Sequence, residues 1–253
     1  MAPKNDIATQ TRSAIEEFTN KGGVFVVCSG RETTSITRIL REQNLKGIVV
    51  SFQGARITDI QTGKSILDAG LSVDMALEVL SKVEKYNLTP LCYTENDFYY
   101  SEFNPYIDHY EQAVRLKGRI VNVEEEIKKS GKKVFKICWV GPDDIVNKVA
   151  NELNEIYKGN GISFNSGAKC LLEAINPQYD KNNAVRFLSE YYNVPFERII
   201  TVGDSTNDIG LVKGPWYGVA VGDGREELKA VAKEITVPFE ERPVERLLKK
   251  YCL

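Results

Sequence analysis

The sequence predicts an α/β fold in which a parallel sheet, covered by helices in three layers, is interrupted by an α+β insertion. Three observations carry this. Continuous β-branched runs such as Val24-Phe25-Val26-Val27-Cys28 and Ile48-Val49-Val50 read as strands covered on both faces. Segments with apolar residues at helical spacing alternate with them, as parallel strands with right-handed crossovers require. The rhythm changes after Ser72 and returns after Asn176-Pro177, so one domain carries another inside it. The expected core domain is 1–71 and 178–253, and the expected insertion is 72–177.

Taken in order, a helix starts near Thr9, with Ala14, Ile15 and Phe18 at helical spacing, and Gly22-Gly23 ends it. The Val24–Cys28 strand follows. Next come a helix with Ile36, Ile39 and Leu40 on one face and the Ile48–Val50 strand. In the insertion, a helix with Met75, Val79 and Val83 leads into strands at Leu91-Cys92-Tyr93, Phe98-Tyr99-Tyr100 and Val134–Val140. A charged helix from Pro142 to Tyr157 and strands near Ile162–Phe164 and Leu171–Ala174 complete it. The core resumes with a helix from Lys181 to Tyr192 and a strand at Arg198–Val202. Short strands at Gly218–Val221 and Ile235–Val237 follow, and a helix at Val244–Lys250 closes the chain.

Composition excludes several classes. The 253 residues are 42% hydrophobic and 27% charged, an ordinary globular balance able to bury a core. With 33 basic and 35 acidic side chains, the formal net charge is -2, so neither nucleic acid nor a membrane surface is an expected partner. The five cysteines are Cys28, Cys92, Cys138, Cys170 and Cys252. They form no C-x-x-C pair and read as buried, reduced thiols. The stretch Met1–Asp6 has no apolar h-region, and no apolar run reaches membrane-spanning length. The expected compartment is the cytoplasm.

Three segments could carry chemistry. In Thr201-Val202-Gly203-Asp204-Ser205-Thr206-Asn207-Asp208, two carboxylates four positions apart follow a strand tip, where ligands of open α/β sheets bind. A hard cation such as Mg²⁺ fits there, taking one or two carboxylates and leaving positions for water and phosphate oxygens. Equally, Asp204, Ser205 or Asn207 could simply cap the next helix. In Cys28-Ser29-Gly30-Arg31, a hydroxyl, a glycine backbone and a helix N-terminus near Thr33 suit a phosphate, although a serine-capped turn explains them as well. Lys181 sits in a first helical turn, against the dipole. It is either a site residue or a plain surface lysine.

Together, the Ser29-Gly30-Arg31 turn, the Lys181 helix and Gly203-Asp204 with Asn207-Asp208 resemble the later motifs of the haloacid dehalogenase superfamily, in its Cof-like branch. Gln53-Gly54-Ala55 resembles the Asn-Gly-Ala of that branch, and Gly222-Asp223-Gly224 stands where it has Gly-Asn-Ala. The insertion is similar to its large α+β (C2B-type) cap. The resemblance spans Asp6 to Leu253. It implies a Rossmann-like core and a Mg²⁺-dependent phosphatase of small phosphorylated metabolites, sugar phosphates in particular. In that role Ser29, Gly30, Arg31, Gln53, Lys181 and Asn207 would bind substrate, with Lys181 also catalytic. Asp204 would hold Mg²⁺ directly, and Asp208 directly or through water. The cap would close over the substrate. Specificity would lie near Tyr93 to Asn104 and Asn165 to Lys169.

One motif of that family has no counterpart. Its nucleophile lies on a central strand ending in Asp-x-Asp-Gly-Thr, whereas Asn5-Asp6-Ile7-Ala8-Thr9 matches the linker after it. Asp6 follows no apolar strand and has no Asp two positions on. His109 and Glu124-Glu125-Glu126 read as surface groups. The central strand is therefore expected to be missing and the chain inactive as it stands. Then Val24–Cys28 and Arg198–Val202 pair directly, something else fills the slot, or the physiological chain is longer, which is the favoured expectation. The competing function is a non-catalytic phosphometabolite-binding or regulatory protein. A nucleotide-binding domain is disfavoured, since no G-x-G-x-x-G or G-x-x-x-x-G-K-[ST] loop occurs.

Overall fold

The computed structural model describes residues 7–95, 97–114, 116–176 and 178–253. Asp6 lies outside them. The chain divides into two compact units. One holds the residues up to Gly30, Thr34–Ile66 and Asp180–Leu253, and the other holds Arg31–Thr33 and Leu67–Tyr179.

The first unit opens with α1 (Thr9–Asn20), which buries Ala14 and Ile15. Gly22 follows at φ +88°, a conformation that suits glycine at a helix end. Then come β1 (Val26–Cys28), α2 (Thr33–Glu42), β2 (Ile48–Ser51), β3 (Arg56–Asp59) and β4 (Ser65–Asp68). The four strands form one sheet in the order β1-β2-β3-β4. β1 and β2 are parallel, with Val26 opposite Ile48, and β2 and β3 are antiparallel.

The second unit has α3 (Val73–Val83), β5 (Thr89–Tyr93), β6 (Phe98–Tyr100), α4 (Pro105–Val114), β7 (Arg119–Ile120), α5 (Val123–Ser130), β8 (Lys136–Val140), α6 (Asp143–Ile156), β9 (Ser163–Ala168) and β10 (Leu171–Ile175). Its six-stranded sheet runs β7-β6-β5-β8-β10-β9. Cys92, Tyr99, Ile137, Trp139 and Leu172 from this sheet share a core with Val79 of α3, Ile127 of α5 and Leu153 of α6. Ser72 caps α3 by accepting from the Met75 amide at 3.2 Å. Glu124, Glu125 and Glu126 occupy the first turn of α5, where carboxylates favour the dipole. His109 is exposed on α4.

The first unit resumes with α7 (Lys181–Tyr192), β11 (Ile200–Gly203), α8 (Ile209–Val212), β12 (Tyr217–Ala220), α9 (Glu226–Lys229), β13 (Glu234–Ile235) and α10 (Pro243–Tyr251). β11, β12 and β13 form a parallel three-stranded sheet. Leu248 of α10 packs with Ala14, Ile15, Leu40 and Val49.

β1 and β11 are end strands of two separate sheets, so among the described residues they do not pair directly. The register shows which groups this leaves on the outer edges. The Phe25 carbonyl and Ser29 amide bond to β2, which turns the backbone polar groups of Val26 and Cys28 away from it. The Ile199 and Gly203 carbonyls accept from Tyr217 and Val221, so those of Ile200 and Val202 face away from β12. All four residues are half-buried. This corrects the expectation of a five-residue strand covered on both faces. With a partner on one side only, the strand shortens to Val26–Cys28, and Val24 is 38% exposed.

The cysteine reading also needs correction. All five thiols are free, but only Cys92 and Cys138 are fully buried, because Cys28, Cys170 and Cys252 lie at element ends. Among the described residues no helix is long and apolar enough to cross a membrane.

Candidate active site

The ends of β1 and β11 and the start of α7 supply one cluster in the first unit. Its centre is Lys181, whose ammonium donates to Asp208 Oδ1 at 2.7 Å. Lys181 is 6% exposed, which rules out the plain surface lysine. The first turn of α7 accepts it because Asp180, at the N-cap, takes the Asn183 amide at 2.7 Å. A buried lysine against a helix N-terminus needs a carboxylate partner, and Asp208 is that partner.

Both Asp208 oxygens accept hydrogen bonds. Its second oxygen, Oδ2, accepts from the Asp204 and Ser205 amides, each at 3.2 Å. Ser205 and Asp208 form a reciprocal capping box around the short turn Thr206–Asp208. Capping therefore falls to Ser205, and the Asp204 side chain stands exposed outside it. Gly203 makes the approach possible. A Cβ there would lie 2.5 Å from the Asp208 Cβ. The turn at Gly224 packs behind, and the Arg225 amide donates to the Asp204 carbonyl at 3.0 Å.

The β1 turn joins through Gln53. Its amide donates to the Ser29 carbonyl at 3.2 Å, and a Cβ on Gly30 would fall 2.4 Å from Gln53 Nε2. The Gln53 side chain thus covers Gly30. Phe52 and Gln53 hold φ of 50° and 61°, strained for non-glycine residues, and Gly54 follows at φ +120°. A Cβ on Gly54 would sit 2.4 Å from the Asp180 carbonyl, so this turn is wedged against the start of α7. Cys28 is the member that the sequence reading missed. Burial pushes its thiol up to about 12, while the nearby Lys181 opposes the shift and Asp208 and Asp180 add to it. Only its position one residue before Ser29 hinted at this.

The structure thus gathers Ser29, Gly30, Gln53, Lys181, Asp204 and Asp208. Arg31 is exposed and belongs to the other unit. Asn207 is exposed on the turn, with no hydrogen bond from its side chain into the cluster among the described residues.

A divalent cation suits one side of this cluster. Partial burial and the neighbouring Asp208 carboxylate raise the Asp204 carboxyl above its ordinary value, and Lys181 only partly offsets them. Two carboxylates held in mutual repulsion are what a hard cation relieves. With both Asp208 oxygens occupied, Asp204 is the available direct ligand, and Asp208 is suited to contact through water. Among the described residues no group of three His, Cys, Asp or Glu side chains forms a closed metal site.

A family model described as haloacid dehalogenase-like hydrolase matches residues 1–248. The 5-amino-6-(5-phospho-D-ribitylamino)uracil phosphatase YitU of Bacillus subtilis (strain 168) is 25% identical over 249 residues, 97% of this chain and 91% of that protein. The solved structure of TM0651 from Thermotoga maritima matches with a TM-score of 0.87 at 21% identity, covering 97% of this chain and 91% of that one. The HAD subclass IIB sugar phosphatase BT4131 matches at 0.74 and 17% identity, covering 97% and 92%. At such identities the two structures speak for the fold alone.

Proposed function

Because the chain belongs to the haloacid dehalogenase-like hydrolase family, we propose that it is a Cof-like, Mg²⁺-dependent phosphatase scaffold for small phosphorylated metabolites, sugar phosphates in particular. Ser29, the Gly30 backbone, Gln53 and Lys181 hold the phosphate, and Asp204 holds the cation. The buried Lys181–Asp208 pair carries this reading. It fixes a cation beside the free Asp204 carboxylate and the β1 turn, an arrangement that neutralises phosphate charge. Mg²⁺, when bound, would add charge neutralisation on the phosphate oxygens. Lys181 orients the phosphoryl group, and Asp208 holds Lys181 in place.

Turnover needs an attacking group as well. Within this cluster Asp208 is held in place by three hydrogen bonds, and the Cys28 thiol stays protonated at neutral pH. These two observations favour a second reading, in which the described residues bind a phosphometabolite without hydrolysing it. Hydrolysis of p-nitrophenyl phosphate with Mg²⁺ separates the two. The expected result is no release above a no-enzyme blank while inorganic phosphate still binds. Turnover that disappears in Asp204→Asn would show a complete active site, and no phosphate binding at all would end both readings.

A further inference from the structure

The second unit holds a cavity of about 970 Å³, at the upper end of the roughly 300–1,000 Å³ of small-molecule sites. Its walls come from the end of α3, the start of β5, the segment after β6 and the start of α5, with Trp139 of β8. Successive residues of β8 alternate between the two faces of the sheet. Ile137 and Trp139 join the helix-packed core, so the cavity lies on the helix side, and Lys136 and Cys138 turn to the other face. Nothing in the phosphate site draws on it.

The two tryptophans of the chain differ in one respect. Trp216 is 0% exposed and donates its indole N–H to the Leu211 carbonyl at 2.6 Å. Trp139 is 1% exposed, yet among the described residues no acceptor stands at its indole N–H. A buried tryptophan N–H ordinarily finds a partner. Pro90, directly opposite Trp139 on β5, has no polar side-chain atom to offer. Because Trp139 lines the cavity, the acceptor that it lacks can come from there.

The cavity also has a sign. Glu84, Glu102 and Glu124 line it, and no lysine, arginine or histidine does so among the described residues. Glu124 meets Lys128 only at 3.5 Å. Glu102 Oε1 accepts from the Thr89 hydroxyl at 3.1 Å, which leaves Oε2 open. Glu84 has no ion-pair partner among the described residues, and it is exposed, as is Glu102. Leu80, Pro90 and Val123 supply apolar wall between these carboxylates and the indole.

We infer that this cavity binds a small organic cation, an amine on an apolar stem that ends in a carbonyl, as in an N-acylated diamine. The carbonyl accepts from the Trp139 N–H, as the Leu211 carbonyl does for Trp216. The stem lies against Leu80, Pro90 and Val123, and the ammonium meets Glu84 and Glu102. A neutral amide would serve the indole alone. An anion would be repelled by three carboxylates.

The test follows the two indole signals in ¹H–¹⁵N correlation spectra of the intact chain, assigned with Trp216→Phe or Trp139→Phe. On titration with N-acetylcadaverine the Trp139 signal should move saturably, with millimolar affinity, while the Trp216 signal stays in place. Neutral N-pentylacetamide should bind about fivefold more weakly, and anionic ε-acetamidocaproate more weakly still. Glu84→Gln/Glu102→Gln should weaken N-acetylcadaverine about fivefold and leave N-pentylacetamide unchanged. A Trp139 signal that never moves would mean that water alone serves the N–H, and it overturns the assignment. Equal affinity for the amine and the carboxylate overturns it too, as does an amine affinity unchanged in the double variant. If that variant fails to fold, the three ligands on the unaltered chain decide. The phosphate reading is scored around Lys181 and Asp204, so either proposal can fail alone.

Discussion

Lys181 Nζ lies 2.7 Å from Asp208 Oδ1, and the two side chains are 7% and 8% exposed. This bond ties the first residue of α7 to the loop after β11. Removing one member strands the other as an uncompensated buried charge, at a cost of about 3–5 kcal/mol. Lys181→Met should therefore lower the urea midpoint strongly. Asp208→Asn should cost as much, because its single side-chain oxygen can serve either Lys181 or the Asp204 and Ser205 amides, and its NH2 group then faces donors on the other side. Equal midpoints for wild type and Lys181→Met would show that the pair is not formed in solution.

Two glycines in the cluster should respond differently to alanine. At Gly54, φ is +120° and the new methyl would meet the Asp180 backbone carbonyl at 2.4 Å, so neither side can yield cheaply. A loss of about 1–3 kcal/mol is expected from the backbone conformation alone. At Gly30 the methyl would meet only the end of the Gln53 side chain, which can swing aside. Gly30→Ala should keep its stability within about 1 kcal/mol and lose phosphate affinity instead. Chemical denaturation and phosphate titration of the two variants check this contrast.

Much of this architecture is readable from the chain. The β-branched runs ending at Cys28 and Val50 lie where strands form, and Lys181–Tyr192 is a helix with the expected ends. Asp204 and Asp208 could be placed at a strand tip by pattern alone. Gln53 was legible only through its motif, since nothing in the residue type announces two successive residues with positive φ. The β3 strand carries no clear pattern because Arg56-Ile57-Thr58-Asp59 mixes polar and apolar residues, and Arg56 is buried all the same. The hydrogen-bonding of Asp208 is hidden in the sequence as well. It depends on a capping box and a lysine 27 residues away, and spacing does not encode that distance.

Alkaline pH should loosen the second unit. Burial pushes the Cys138 thiol up to about 12 from an ordinary 9.0, with Lys136 opposing the shift and Glu173 adding to it. A group whose pKa is raised on folding stabilises the native state fully below its unfolded value and loses that contribution as pH climbs to the folded value. Stability should therefore fall between pH 9 and pH 12, by roughly 1.4 kcal/mol per pH unit for this one group. Cys138→Ala should flatten the slope. A flat profile in the unaltered chain would mean that the thiol is not buried as described.

Glu111 of α4 is 2% exposed and accepts from the Tyr100 hydroxyl at 3.1 Å, Lys117 at 2.8 Å and the Gly118 amide at 2.8 Å. Glu111→Ala leaves the Tyr100 hydroxyl without its acceptor, a loss of about 1–3 kcal/mol for that group. Thermal unfolding should show the drop, and phosphate binding should be unaffected.

The most direct test of the phosphate site is calorimetric titration of inorganic phosphate into the intact chain, with and without Mg²⁺, repeated on Lys181→Met and Asp204→Asn. The cluster predicts saturable binding that Mg²⁺ strengthens, at least tenfold weaker in Lys181→Met, a difference of about 1.4 kcal/mol. Asp204→Asn should bind phosphate but lose the response to Mg²⁺. Phosphate affinity and Mg²⁺ response unchanged in both variants would contradict the assignment of this site.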